Sequence, residues 1–275
     1  LDSEEHRTYR CEATQNELCR RFPEGKHSSA MAQRHIDAAK RDLDADRNYE
    51  CLWLRGLPPL GLLPCIDRQS PSDIIVGNAA MAAAEEGCDH YSDGTLGKNG
   101  KLTNLAHGGW GWVIIDPNNV AVAGRCGLLE GDVQTVPRAE LRALLSILEH
   151  AARETSITVR VDASYLLGFR DDPMSKANSD NGDMWAECWK LILSKKIRLD
   201  VIKIPRSHAT IAMVEAGIIS DRDRIGNDWA DQYAERGAAL TPATADQVQE
   251  SIRMQYRFRY IQKRLAHASI IHNDR

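Results

Sequence analysis

The chain has 275 residues, a formal net charge of −4 and a sequence pI near 6.2. Hydrophobic residues at 43% and charged residues at 27% describe an ordinary globular chain that buries a sizeable core in one or two domains, with no repeat or low-complexity tract. The slight acidity argues against polyanion binding by bulk charge. The seven cysteines are scattered without a Cys-x-x-Cys pair, which suggests free thiols in a reducing, intracellular compartment, nucleus or cytoplasm.

Residues 1–50 are polar and carry no secretory signal. The chain begins at Leu1 rather than Met, and is expected to be part of a longer one. Ser28 or Ser29 caps a predicted helix running to about Asp46, with Met31, His35 and Ala38 on one face. Cys51 to Pro64 is the most apolar stretch and is predicted to be extended. Pro58, Pro59, Pro64 and Arg55 make it unfit to span a bilayer. Ser70 to Asp73 is predicted as a loop, and Asn78 to Glu86 as a short alanine-rich segment.

From Gly87 the patterning changes. Strands are predicted at Cys88–Ser92, Gly109–Ile115 and Val120–Gly124, the last two joined by the turn chemistry of Asp116-Pro117-Asn118-Asn119. Leu141, Leu144, Leu145 and Leu148 recur at i, i+3, i+4, i+7 and predict a helix over Arg138–Arg153. Ile157, Val159 and Val161 alternate with polar residues in a strand that ends at Asp162. A short helix follows at Ser164–Phe169, then a helix at Asp183–Leu193, a strand at Leu199–Ile204 and a helix at Asp228–Ala238. The order β-β-β-α-β-α-β-α predicts an α/β fold with a mixed five-stranded sheet flanked by helices. The chain then divides into an N-terminal helical or irregular region (1–86), a central domain (87–240) and a C-terminal amphipathic helical extension (241–275).

Four acidic residues stand at strand ends and helix starts in the central segment: Asp93, Glu140, Asp162 and Asp231. Each has an ordinary reading on its own, as a turn residue, a helix-dipole partner or a cap. Together they can converge on two divalent cations, the arrangement that clamps the attacking and leaving oxygens of a phosphodiester. Hard oxygen ligands suit Mg²⁺, with Mn²⁺ as a substitute. His208, in Ser207-His208-Ala209-Thr210, is a candidate proton shuttle beside them.

In order and neighbours, Tyr91-Ser92-Asp93-Gly94-Thr95, Arg138-Ala139-Glu140-Leu141, Val161-Asp162-Ala163-Ser164, His208 and Gly226-Asn227-Asp228-Trp229-Ala230-Asp231 resemble ribonuclease H of type 1. The resemblance spans about Gly87 to Leu240. It implies a two-metal endonuclease that cuts the RNA strand of an RNA–DNA hybrid, leaving 5′-phosphate and 3′-OH. Asp93, Glu140, Asp162 and Asp231 would be the metal ligands, with Asp93 bridging the ions. Thr135-Val136-Pro137-Arg138-Ala139-Glu140-Leu141 is also similar to the ribonuclease H domain of non-LTR retroelement polyproteins, which implies a reverse transcriptase upstream. By the same resemblance Thr135 and Asn181 would hold a phosphate of the DNA strand, and Arg138 would be a further substrate contact. Asn181-Gly182-Asp183-Met184-Trp185 matches the family's Asn-x-Asp-Leu-Trp wording, with Trp185 and Trp189 expected in the core. The competing reading is a catalytically weak nucleic-acid-binding or assembly module of the same fold. A third is a related nuclease acting on duplex RNA or structured DNA.

Three departures bear on substrate grip. Val136 and Pro137 stand where the family usually carries amides that read the minor groove. The segment Asp162 to Asp183 is too short for the basic protrusion some members use. The segment His208 to Gly226 is longer than usual and carries Arg222 and Arg224. Lys195, Lys196, Arg198, Lys203 and Arg206 form a basic stretch toward His208 that could follow a phosphate backbone. On the C-terminal helix, Met254, Phe258, Ile261 and Leu265 form a docking stripe, while Arg253, Arg257, Tyr260 and Arg264 form a basic-aromatic stripe suited to phosphates. His6 and Cys11 have the spacing of a zinc-knuckle remnant, but two ligands do not hold structural zinc and none is expected.

Overall fold

The computed structural model describes residues 3–45, 49–66, 73–77, 87–170, 173–205 and 208–274, and the chain forms two compact units, residues 1–65 with 244–275 and residues 66–243. The loop expected at Ser70–Ser72, the segment Asn78–Glu86 and Arg206 lie outside the described residues.

The first unit is helical. It comprises α1 (Glu12–Arg21), α2 (Ala30–Ala45), α3 (Glu50–Arg55) and a long C-terminal helix (Ala245–Asn273). Ser29 caps α2 as expected, its Oγ accepting from Ala32 N at 3.1 Å. The buried face of α2 differs from the expectation. Ala32, Ile36, Ala39 and Leu43 point inward, and Met31 is 62% exposed. Cys51 onward is not extended either. Its leucines and Trp53 form α3, closed by Gly56 at φ 66°, a left-handed turn that glycine adopts without strain.

The C-terminal helix starts on a capping box of Thr244 and Gln247. Its apolar stripe docks as expected: Met254, Phe258 and Ile261 are buried with Tyr9, Ile36, Leu52 and Trp53. The basic-aromatic stripe turns largely inward, with Arg253 alone of its four residues exposed. Arg264 is fully buried and donates to Thr8 O at 3.1 and 2.8 Å and to Gln15 Oε1. Arg257 lies over the Trp53 ring and beside Asp42, and Arg253 pairs with Glu250. The basic heads have carbonyls, rings and carboxylates within reach, and burying a paired guanidinium costs far less than burying a bare one. His6 and Cys11 bracket one π-helical turn, Cys11 N donating to His6 O at 2.8 Å.

The second unit is built on a six-stranded mixed sheet in the order β1-β4-β3-β2-β5-β6. Its strands are β1 (Ile74–Gly77), β2 (Asp89–Thr95), β3 (Gly109–Ile115), β4 (Ala121–Leu128), β5 (Ser156–Val161) and β6 (Arg198–Lys203). The expected five strands are present, and β1 adds a sixth, antiparallel to β4. The helices are α4 (Val136–His150), α5 (Pro173–Ala177), α6 (Gly182–Lys195), α7 (Ile211–Glu215) and α8 (Asp221–Ala238), with a 3₁₀ segment at Ser164–Arg170.

One face of the sheet packs Trp112, Ile114, Val159 and Val161 against the leucines of α4 and Trp185 of α6. The other packs Tyr91, Val113 and Ile115 against Ala230 and Tyr233 of α8. Two corrections concern helix starts. Glu140 lies one turn inside α4 rather than on its first turn. Helix α8 begins at Asp221, capped by Ser220, so Asp231 lies in mid-helix rather than on the first turn.

Candidate metal centre

Asp93 lies near the end of β2, and Asp162 follows the last residue of β5. These two strands are adjacent and parallel, with Tyr91 paired to Arg160. Asp93 and Asp162 each stand two residues further along, so both side chains leave the sheet on the same face. Glu140 enters from α4. The helix backbone approaches β2 so closely that a Cβ on Gly94 would lie 2.4 Å from Glu140 N, which requires glycine there. The outcome is one group: Asp93, Glu140 and Asp162 each offer an oxygen within 4.8 Å of the others.

Burial first, then the charges of Asp162 and Asp231, push the Asp93 carboxyl up to about 7. Burial and then Asp93 hold Glu140 well above the usual carboxylate range. Asp162 is also raised, mainly by burial, with His208 and Lys203 opposing. Glu140 Oε2 is buried without a hydrogen-bond partner. A cluster of carboxylates that raise one another, with an orphaned oxygen, is matched by a divalent cation bound by hard oxygen donors.

This gives a stability prediction. Protons held by the folded cluster are released on unfolding at pH values between the ordinary carboxylate range and about 7, so its contribution to stability is present below pH ~4 and lost as pH rises through about 7. In EDTA, Asp93→Asn should melt close to the unsubstituted chain at pH 4.5 and above it by several degrees at pH 8. A melting difference that does not grow with pH would refute the cluster's electrostatics.

Asp231 stands outside the three-carboxylate group, yet its charge acts on both Asp93 and Asp162. Asp231 Oδ2 lies 3.6 Å from Nδ1 of His208, whose side chain is 77% exposed. His208 is held at φ 48°, uncommon for a residue with a Cβ.

A second cluster forms between the start of α4 and the start of α6. Thr135 caps α4, its Oγ1 accepting from Arg138 N at 3.3 Å. Arg138 reaches Asn181 Oδ1 at 3.4 Å, so Thr135, Arg138 and Asn181 are brought together. Sequence reasoning did not foresee that Asp183 takes Arg138 in a two-pronged pair at 2.9 and 2.6 Å. An incoming phosphate must compete with that carboxylate. Trp185 is buried as expected. Lys195 is not available to follow a backbone, because its ammonium caps the carbonyls of Leu148, Glu149 and Ala151 at 2.7–3.0 Å. Lys196 pairs with Glu154.

The six-stranded mixed sheet with helices on both faces gives the second unit a ribonuclease H-like α/β fold, with carboxylates at the ends of β2 and β5. No family model matches the chain. Over 160 residues it is 28% identical to a ribonuclease H of Schizosaccharomyces pombe, a match covering 54% of this chain and 52% of that protein, so the chain spans about half the length of the curated relative it matches. Among solved structures it is similar to ribonuclease H1 of Halobacterium salinarum (18% identity, TM-score 0.36, 55% of this chain and 96% of that one). It is similar to LC11 ribonuclease H1 solved with an RNA/DNA hybrid (15%, 0.37, 55% and 99%). A third likeness is to the protease–reverse transcriptase of prototype foamy virus (15%, 0.41, 58% and 22%).

Proposed function

We propose that the chain is a metal-dependent endonuclease that hydrolyses the RNA strand of RNA–DNA hybrids, leaving 5′-phosphate and 3′-OH, with residues 87–240 as the nuclease domain. The observation that carries this reading is the convergence of Asp93, Glu140 and Asp162, from two parallel strands and a helix, within 4.8 Å. Those three and Asp231 would hold two Mg²⁺ ions, which Mn²⁺ replaces. When bound, such ions supply Lewis acidity and a nucleophile at neutral pH for in-line displacement at phosphorus.

The chain's own residues do the rest. The parallel β2–β5 pair aims Asp93 and Asp162 at one point. Glu140 and Asp231 close the set from α4 and α8. His208, exposed beside Asp231, moves a proton at the mouth of the site or eases product departure. Thr135, Arg138 and Asn181 hold a DNA-strand phosphate, Arg138 exchanging Asp183 for it. Val136 and Pro137 are exposed at the start of α4 and carry no side-chain amide, so strand choice rests on backbone contacts and hybrid shape.

The wording Thr135–Leu141 supports a retroelement origin with a reverse transcriptase upstream in the same polyprotein, and the scattered cysteines, without a Cys-x-x-Cys pair, suit an intracellular compartment. Among the described residues no helix is long and apolar enough to cross a membrane.

The deciding experiment is cleavage of labelled RNA–DNA hybrid, duplex RNA and duplex DNA with Mg²⁺, Mn²⁺ or EDTA. Hybrid-specific, EDTA-sensitive cleavage supports the reading. Binding without cleavage favours a catalytically weak nucleic-acid-binding module. His208→Ala should slow hybrid turnover by about 10²-fold without abolishing it, because a positioned acid or base contributes ~10²–10⁴-fold. Unchanged rates from pH 6 to 9 would leave His208 as a loop residue only.

A further inference from the structure

Helix α8 reaches the sheet through a polar network that the metal centre does not include. Arg222, on its first turn, donates from Nε to Asp89 Oδ2 at 2.8 Å, and from Nη2 to Gly87 O and Ile115 O at 2.7 and 3.0 Å. Its Nη1 reaches Asp116 O. The neighbouring Asp223 is 9% exposed. Asp223 accepts from Tyr91 OH at 3.0 Å, from Ser220 Oγ at 2.8 Å and from Arg160 Nη1 at 3.3 Å. Arg160 Nε lies 3.3 Å from Asp89. The guanidinium fork of Arg222 thus joins the start of α8 to the start of β2 and the end of β3. Asp223 joins it to the middle of β2 and β5.

The placement is specific. Tyr91 and Arg160 are paired across β2 and β5. Asp93 and Asp162 are the next residues on the same face of the same two strands. Nine residues of helix, Arg222 to Asp231, rise ~13 Å at ~1.5 Å each. Four residues of strand, Asp89 to Asp93, rise ~13 Å at ~3.3 Å each. An anchor at Arg222–Asp89 therefore delivers Asp231 at the level of Asp93. Gly226 lets the helix lie on the Tyr91 ring; a Cβ there would sit 2.3 Å from it. A shift of one residue along α8 would turn Asp231 by about 100° away from the cluster.

We propose that Arg222 and Asp223 are positioning residues: they lock the register of α8 on the sheet and so carry Asp231 to the Asp93–Asp162 pair. This rests on the reading of Asp231 as a cation ligand, and gives the long segment His208 to Gly226 a purpose, since its C-terminal end forms the anchoring first turn of α8. A residue that only stabilises the fold would not act through Asp231.

Two measurements on the full chain test this. The first is Mn²⁺ binding by calorimetry to the unsubstituted chain, Arg222→Met, Asp231→Asn and the double variant, below their melting temperatures. Arg222→Met should weaken Mn²⁺ binding about tenfold, the size typical of residues that orient metal ligands. In the Asp231→Asn background it should weaken binding less than about twofold, because the two changes act through one side chain. Equal losses in both backgrounds, or none with Asp231 present, overturn the proposal. The second is amide hydrogen exchange without metal. Arg222→Met should speed exchange along α8 from Ile225 to Tyr233, and unchanged exchange there overturns the lock. If the unsubstituted chain binds no Mn²⁺, the metal reading fails, and the exchange result still decides the lock. Should Arg222→Met not fold, Tyr91→Phe removes one hydrogen bond to Asp223 and carries both comparisons, with a smaller expected loss of about threefold.

Discussion

Asp93→Asn or Asp162→Asn is expected to lower hybrid cleavage by at least about 10³-fold while leaving the protein folded. In the proposed reaction, bound cations would supply several kcal/mol of transition-state stabilisation, and each ~1.4 kcal/mol is a factor of ten. Amide side chains keep the shape of the site but remove one negative charge from it. Stability should not fall, because Asp93 is held up at about 7 by burial and by the charges of Asp162 and Asp231, and the substitution relieves that repulsion. Single-turnover cleavage at saturating Mg²⁺, with melting measured in parallel, separates the two effects. Turnover near that of the unsubstituted chain, at matched melting temperature, would refute the assignment of these carboxylates to the chemistry.

Removing residues 250–275 is expected to unfold the helical unit rather than merely weaken hybrid binding. The deletion takes away Met254, Phe258 and Ile261, which share a core with Tyr9, Ile36, Leu52 and Trp53. Each buried side chain of this kind contributes ~1.5–3 kcal/mol, and a domain holds only ~5–15 kcal/mol in total. It also removes the two hydrogen bonds that the buried Arg264 donates to Thr8 O. Limited proteolysis should then cut within residues 3–45 faster than it does in the full chain. Retained protection of that segment would show that its helices stand without the C-terminal one. Arg259→Ala with Lys263→Ala, both on the exposed face of the helix, should leave the segment protected.

Much of the sheet was legible because its strands are marked locally. Gly109–Ile115 has the bounds expected from its apolar run, and alternation marks Ile157 to Val161. The short β1 was missed because four residues leave no period to read. Helix α8 was begun too late because Asp221, Arg222 and Asp223 read as a charged loop, and only the carbonyls and carboxylates of β2 and β3 make that charge helical and half-buried. The anchoring network carried no local signal, since Asp89, Arg160 and Arg222 are far apart in the chain.

The sequence by itself marked the acidic residues that the fold gathers at Asp93, Glu140 and Asp162, five strands of the sheet and the cap at Ser29. Cation ligation, pleat alternation and helix capping each demand a residue type at a set spacing. Tertiary structure decided which charges face solvent. Arg264 is basic and at helical spacing from Arg253 and Arg257, yet it is fully buried against a carbonyl 256 residues away. Arg138 reads as a phosphate ligand and is met by Asp183, 45 residues on. The energy of a charged side chain depends on what desolvates and pairs it, and those partners come from parts of the chain that only folding brings near.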